Sequence, residues 1–459
     1  MADPITDYYS DNPWEVIDKN QRQWYDPDLI AMYRAKSVFA PTITFAKNML
    51  GDVRTTKMTV TGLIDPHPDF TAITSRQLWM NSLHIDSRAI EITFARYGGK
   101  VSYHKYDDMV SYWKQNGTQG LRAIMNGVLG QHQVDVLDML ARNAYIKGAL
   151  DTGFNLYTSG SATNFNGLGI GDKFNLDIAM DIWLGMANRN VAAALGANGA
   201  ADSIICFTTP GVIYDIQKDP EWTSVRQYQD LASILRYEVG AYKNVRFVQS
   251  PKCTLWNCGA IAVRYPISAA INAGDGSPDP ATTKVDGTYQ VGQTGTGGIV
   301  RYIQLGTATS GSIANIAVND MITIHKTVTS AYGVTNGVNF NEGSAITRRV
   351  VAVDIPNRRL VFDKPIMADF TVDLGAGVYG YITKARHIHA SIFIGGPQGI
   401  VAGSAQPPRY YTPPPIDDFE SIYRYSWDAF MGYQPYAPEV FELVFSAGST
   451  RVKGPTVVQ

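Results

Sequence analysis

Residues 117–150 constrain the fold most. Leu121, Ile124, Met125, Val128, Leu129, His132, Val136, Met139 and Leu140 recur at steps of three and four, which predicts one face of a single helix. At 1.5 Å per residue such a helix reaches about 50 Å, well beyond the usual length in a globular domain. A strut of that length serves as a spine, so the remaining segments must be organised around it.

Upstream, 55–61 is β-prone and Asp65-Pro66-His67-Pro68-Asp69 is turn chemistry, predicting a long hairpin over 53–70 that continues through Thr71–Leu83. Ile90, Ile92 and Phe94 then alternate along a strand, and Gly98-Gly99 predicts a reversal before Val101 and Tyr103 resume the alternation. Downstream, 151–260 reads as α/β. A helix over 176–198 is capped by Asn175, a buried strand at 203–208 ends before Pro210, and helices near 210–218 and 228–236 precede a strand at 245–248. From 268 the texture turns to Gly, Thr, Ser and Asn with β-rich stretches, which predicts a small all-β unit inserted over 268–386. Segments of α/β type resume at His389, and 416–447 close the fold after a Pro-rich crossing.

Composition narrows the function. Only 17% of the 459 residues are charged although 45% are hydrophobic, a thin coat unless much surface is covered by partners. The 26 Tyr, 8 Trp and 17 Phe fit desolvated contacts, and a net charge of −2 argues against gripping phosphates as the main task. In the first 50 residues Tyr8, Tyr9, Trp14, Trp24 and Tyr25 lie among Asp, Asn and Pro without a sustained period. This arm either folds back on its own domain or lies on a neighbouring subunit. Cys206, Cys253 and Cys258 form no disulfide framework and read as buried, reduced thiols. No apolar run is long enough for a membrane span, and the acidic, polar start is unlike a signal peptide.

Catalytic chemistry is sparse. His387 and His389 share one side of a strand and suit a metal only with a third ligand; packing is the stronger reading. His132, Asp135 and Asp138 form a three-residue-spaced group on the spine, better explained as a polar seam than as an acid/base site. The run from Gly167 to Lys173 lacks the strand and the Lys-Ser/Thr that a phosphate loop requires. No catalytic, cofactor or metal residue is assigned.

The stretch Ile92-Thr93-Phe94-Ala95-Arg96-Tyr97-Gly98-Gly99-Lys100-Val101, followed by Tyr106-Asp107-Asp108, resembles tailed-bacteriophage coat proteins. In that family a strand ending in Tyr-Gly leads through an Asp-rich link into a long helix. Cys206-Phe207-Thr208-Thr209-Pro210, Asp219-Pro220-Glu221-Trp222 and Tyr237-Glu238-Val239-Gly240 before Val245-Arg246-Phe247-Val248 continue the resemblance in the same order. The chain is similar to major capsid proteins of the podovirus branch typified by N-four. The resemblance implies an α+β Hong Kong 97-type capsid fold with an inserted all-β domain.

It also implies parts. Residues 1–50 become an N-terminal arm, 51–90 an E-loop, and 91–174 a peripheral domain with spine 117–150. An axial domain spans 175–267 and returns at 387–415 around the insertion at 268–386, and 416–459 close the peripheral domain. Tyr8, Tyr9, Trp14, Trp24 and Tyr25 on the arm, with Lys57, His67 and Phe70 on the hairpin, become candidates for contact between subunits. The implied partners are copies of the chain in hexamers and pentamers, with portal, scaffolding and decoration proteins as further candidates. DNA would be enclosed without sequence-specific binding, with no cofactor, membrane or enzymatic activity, in a virion made in a bacterial cytoplasm. Two other readings remain open: a nanocompartment shell of the same fold, and a ligand-binding protein using the insertion or the Tyr410-Tyr411 surface.

Overall fold

A computed structural model describes residues 38–39, 42–45, 55–61, 87–105, 120–160, 162–189, 191, 204–222, 238–242, 244–267, 299–308, 310–325, 345–356, 358–367, 380–396, 399–412 and 422–447. In chain order these form β1 (Thr44–Phe45), β2 (Thr55–Thr61), β3 (Ser87–Thr93), β4 (Ala95–His104), the helix α1 (Gly120–Thr152), β5 (Asn155–Tyr157), α2 (Leu176–Asn188), β6 (Ile204–Thr208) and α3 (Pro210–Gln217). Then follow β7 (Glu238–Tyr242), β8 (Val245–Gln249), β9 (Thr254–Leu255), β10 (Ile261–Pro266), β11 (Ile299–Gln304), β12 (Met321–His325), β13 (Ala345–Asp354) and β14 (Arg359–Met367). The last strands are β15 (Tyr381–Ala385), β16 (Ile388–Ile394), β17 (Ile400–Tyr411), β18 (Ile422–Pro435) and β19 (Phe441–Ser446).

Three sheets and one hairpin result. A four-stranded sheet runs β1-β17-β18-β4, and a seven-stranded sheet runs β5-β19-β16-β6-β8-β7 with β9 beside β16. A six-stranded sheet runs β10-β15-β12-β13-β14-β11, while β2 and β3 pair with each other.

The 33-residue α1 joins the first two sheets by changing partner along its length. Its first half lays Leu129, Val136 and Leu137 on Tyr97, Val101, Tyr425 and Trp427 of β4 and β18. Its second half sends Ala141, Ala144, Tyr145, Ile146 and Ala149 into the core shared with the seven-stranded sheet. Gly148 permits that approach, since a Cβ there would stand 2.7 Å from Pro435 and 2.9 Å from Phe441. The single stripe expected from sequence is therefore corrected. Val128 is 54% exposed and His132 is exposed, because the buried face rotates as the partner changes.

Local signals set the α/β part. Asn175 caps α2 by accepting from the Ile178 N–H at 3.0 Å, and Thr209 caps α3 with Pro210 in its first turn. All five residues of β6 are buried, as its unbroken apolar run requires. The helix opened by Asn175 ends at Asn188, not at 198, with Arg189 as its cap. The helix expected near 228–236 lies outside the described residues.

Gly98-Gly99 is a second correction. The chain does not reverse there: β4 runs through both glycines and pairs with β18 from Ala95↔Met431 to His104↔Ile422. The glycines answer close approach. A Cβ on Gly98 would lie 2.7 Å from the Trp427 carbonyl, and one on Gly99 3.0 Å from both the His132 ring and Trp427 Nε1.

The six-stranded sheet has its own core, which includes Val263, Ile303, Ile322, Ile324, Leu360 and Phe362. It begins at Ile261, ahead of the composition change at 268 that sequence reasoning used as a boundary. The two chain crossings are held together at a neck: Gly259 N–H donates to the Arg386 carbonyl (2.9 Å), and Arg386 N–H to that of Ala260 (3.0 Å).

Candidate assembly surface

The groups suspected of chemistry have structural partners. His389 Nδ1 lies 2.7 Å from Thr209 Oγ1, tying β16 to the cap of α3. His387 Nδ1 accepts from the Asn257 N–H at 3.3 Å and its ring meets Trp256 edge-on. Burial depresses His387 to about 4, with Asp320 opposing the shift, so it is neutral at neutral pH. Among the described residues no group of three or more His, Cys, Asp or Glu could hold a metal. All three cysteines are buried, and desolvation pushes Cys253 up to about 12. In the Gly-rich loop the Asp172 carboxylate itself takes the Gly169 N–H at 2.6 Å, which disfavours a phosphate there.

The polar seam on α1 splits in two. His132 Nδ1 accepts from Trp427 Nε1 at 3.2 Å, while Asp138, 1% exposed, turns the other way. Its Oδ1 accepts from the N–H groups of Val38 (3.0 Å) and Phe39 (2.8 Å), and its Oδ2 pairs with Lys252 at 2.9 Å. Lys252 also reaches Asp135 at 3.0 Å. Phe39, fully buried, packs on Tyr145 and Phe207, the Tyr145 hydroxyl donates to the Thr42 carbonyl at 3.0 Å, and β1 pairs with β17 in parallel. Residues 38–39 and 42–45 are thus seated on their own chain; the preceding aromatic segment, on which the choice between own domain and neighbour turned, lies outside the described residues.

The hairpin is rooted nearby. β2 and β3 pair from Thr55↔Thr93 to Thr61↔Ser87, placing Lys57 opposite Glu91. At its base Ile92 and Phe94 pack on Val401. Gly403 and Gly432 make room, since Cβ atoms there would come within 2.8 Å of Phe94 and 2.5 Å of the Thr93 carbonyl.

The four-stranded sheet has a second face. Alternate residues of β4 and β18 point away from α1, and among them are Arg96, Gly98 and Lys100 opposite Phe430, Asp428 and Ser426. Asp428 organises this face: its Oδ2 takes Arg96 Nε (3.1 Å) and Nη2 (2.7 Å), and its Oδ1 takes Gln406 Nε2 (3.1 Å). Gln406 also meets the Tyr411 hydroxyl at 2.8 Å, and Tyr411 is 42% exposed. A cleft of about 850 Å³ opens on this face, lined in part by Arg96, Gly98, Lys100, Tyr411 and Asp428.

Of the contact candidates read from sequence, Lys57 is exposed on β2. Tyr8, Tyr9, Trp14, Trp24, Tyr25, His67 and Phe70 lie outside the described residues. Sequence reasoning missed Lys252 and Asp428, whose partners are 114 and 332 positions away.

The structure is similar to the capsid of Ralstonia phage GP4, with a TM-score of 0.53 and 9% identity, over 94% of this chain and 97% of that one. It also resembles the cyanophage Pam1 capsid asymmetric unit (TM-score 0.48, 12% identity, 94% and 98% covered). A third likeness is to the capsid of cyanophage P-SCSP1u (0.45, 9%, 93% and 93%). No protein-family model and no curated protein matches the sequence. The similarity to the GP4 capsid over nearly both whole chains shows the fold, the α+β Hong Kong 97-type capsid fold that the motifs implied.

Proposed function

We propose that this chain is the major capsid protein of a tailed bacteriophage, copies of which self-assemble into an icosahedral shell around double-stranded DNA. The observation that carries the reading is the fold shared with the GP4 capsid along 94% of this chain. The physical arguments agree. A closed shell repeats modest contacts many times, so each subunit gains by multivalency. A low charge content and abundant aromatics suit surfaces that are covered in the assembly.

In this reading 1–50 is the arm, the β2–β3 hairpin belongs to the E-loop, α1 is the spine of the peripheral domain, and the seven-stranded sheet belongs to the axial domain. The six-stranded sheet is the inserted domain. The chain acts structurally rather than as a catalyst, its partners are its own copies in hexamers and pentamers, and it resides in the virion. Portal, scaffolding and decoration proteins are the further partners to seek. Electron microscopy of the full chain, expressed alone and with the proteins encoded beside it, tests this. Closed shells are expected, and a chain that stays monomeric under all conditions overturns the reading.

A further inference from the structure

The chain crosses between the seven-stranded and six-stranded sheets twice, outward through residues 256–260 after β9 and back through Arg386 and His387 into β16. Asn257 sits in the outward crossing with a φ of 56°, a left-handed conformation that asparagine adopts more readily than most side chains. Its amide is 5% exposed and reaches into the insertion. There Nδ2 donates to the Met321 carbonyl (3.0 Å) and to Thr323 Oγ1 (2.9 Å) on β12, and Oδ1 accepts from the Ala385 N–H (3.0 Å) on β15. One side chain thus holds two strands of the inserted sheet to the outward crossing, and pulling it out leaves buried polar groups unpaired.

The return crossing holds the backbone of the same residue. The Asn257 N–H donates to His387 Nδ1 at 3.3 Å, and the His387 ring meets Trp256 edge-on with ring centroids 4.7 Å apart. That bond needs an Nδ1 without a proton. A proton there sets one N–H against another, so either the ring or the Asn257 backbone has to move, and the backbone takes the amide with it. Of the charges that act on the ring, Asp320 favours its protonation and Lys384 opposes it. These two pair with each other, and Lys384 also donates to the Asn315 carbonyl at 2.7 Å. Arg386 directs Nη1 at the Leu168 carbonyl (2.9 Å), and His389 is tied to Thr209.

We infer that Asn257 is a latch fixing the inserted sheet against the seven-stranded sheet, and that protonation of His387 opens it. This device goes beyond the shell reading and does not depend on it. A released His387 takes its proton near the ordinary 6.5 and the latched one near 4, so the latch is at full strength above about pH 6.5 and weakens as pH falls. The ratio of released to latched necks therefore rises about 150-fold between pH 8 and pH 4.

The test uses the full chain with spin labels on Leu184→Cys in α2 and Ile355→Cys in the insertion. Both positions are 52% exposed in the parent, whereas Cys206, Cys253 and Cys258 are buried. Labelled chains are diluted in unlabelled ones, so that pulsed electron resonance reads distances within one copy. A narrow distance is expected at pH 7 and a broadened distribution at pH 4, restored on neutralisation, with the far-UV circular dichroism unchanged. His387→Asn keeps an acceptor without a titrating ring and should stay narrow at pH 4. Asn257→Gly keeps the left-handed backbone but lacks the three amide bonds, and should be broad already at pH 7. A parent that stays narrow at pH 4, or an Asn257→Gly chain that is narrow at pH 7, overturns the latch. So does broadening that persists in His387→Asn or that accompanies loss of the far-UV signal.

Discussion

Removing the Asp138 carboxylate strips three partners of one buried acceptor. It is 1% exposed and satisfies three partners at once: the N–H groups of Val38 and Phe39, and the Lys252 ammonium. In Asp138→Ala the N–H groups of Val38 and Phe39 lose their acceptor, and among the described carboxylates Lys252 keeps Asp135. Breaking a buried pair costs about 3–5 kcal/mol when the remaining charge is stranded. Here the 23% exposed Asp135 still holds Lys252, so the lower end, about 3 kcal/mol, applies. Asp138→Asn keeps an oxygen for the two N–H groups but turns an amide NH₂ toward the ammonium, costing about 2 kcal/mol. With a urea m-value of about 3 kcal/mol/M, the midpoint of the unassembled chain should fall by about 1 M for alanine and somewhat less for asparagine. Trypsin cleavage after Arg34 and Lys36 should quicken in the same order, because these sites immediately precede the segment that Asp138 holds. Both variants matching the parent within about 0.2 M urea, with unchanged cleavage, would refute the view that this carboxylate seats the arm.

Further outcomes follow from the same geometry. Replacing 262–384 with a short linker should leave the two other sheets folded, because Gly259, Ala260 and Arg386 already exchange backbone hydrogen bonds; circular dichroism and protease resistance of the remainder read this, and global misfolding contradicts it. Gly432→Ala forces a Cβ to 2.5 Å from the Thr93 carbonyl and should destabilise by about 1–3 kcal/mol while raising protease sensitivity of the hairpin; wild-type behaviour contradicts the close approach. His387 is held near 4 by burial, so an unfolded chain binds its proton first, and stability falls as pH drops from about 6.5 toward 4, by about 2–3 kcal/mol. His387→Asn, which keeps an acceptor for the Asn257 N–H, should flatten that part of the pH profile, and an unchanged slope rejects the assignment. Cys253, pushed up to about 12, should resist iodoacetamide at pH 8.5 until the chain is unfolded.

The elements most legible in the sequence were those whose signal is local. Asn175 announced the start of α2, and the Pro after β6 announced α3, because caps act within one turn. The spine was visible as a helix, but its stripe was misread because α1 packs on two different sheets, and a single period cannot describe a face that rotates between partners. Gly98-Gly99 looked like a turn because glycine pairs usually mark one. Here the demand comes from Trp427 and His132, over three hundred and about thirty positions away, and no window along the chain contains both. Asp135 and Asp138 were visible as a polar group, yet their meaning depended on Lys252 and on the backbone of residues 38 and 39. The basic face of β4 was hidden for the same reason: Arg96 and Asp428 meet only once β18 lies beside β4.

The central claim is that copies of this chain tile a closed container. Cryo-electron microscopy of the purified full chain, assembled in the presence of the proteins encoded beside it, measures that directly. The account predicts icosahedral shells built of hexamers and pentamers, with α1 and the hairpin of each subunit at its contacts with neighbours. A uniform population of single chains, or an assembly in which those elements touch no neighbour, would contradict it.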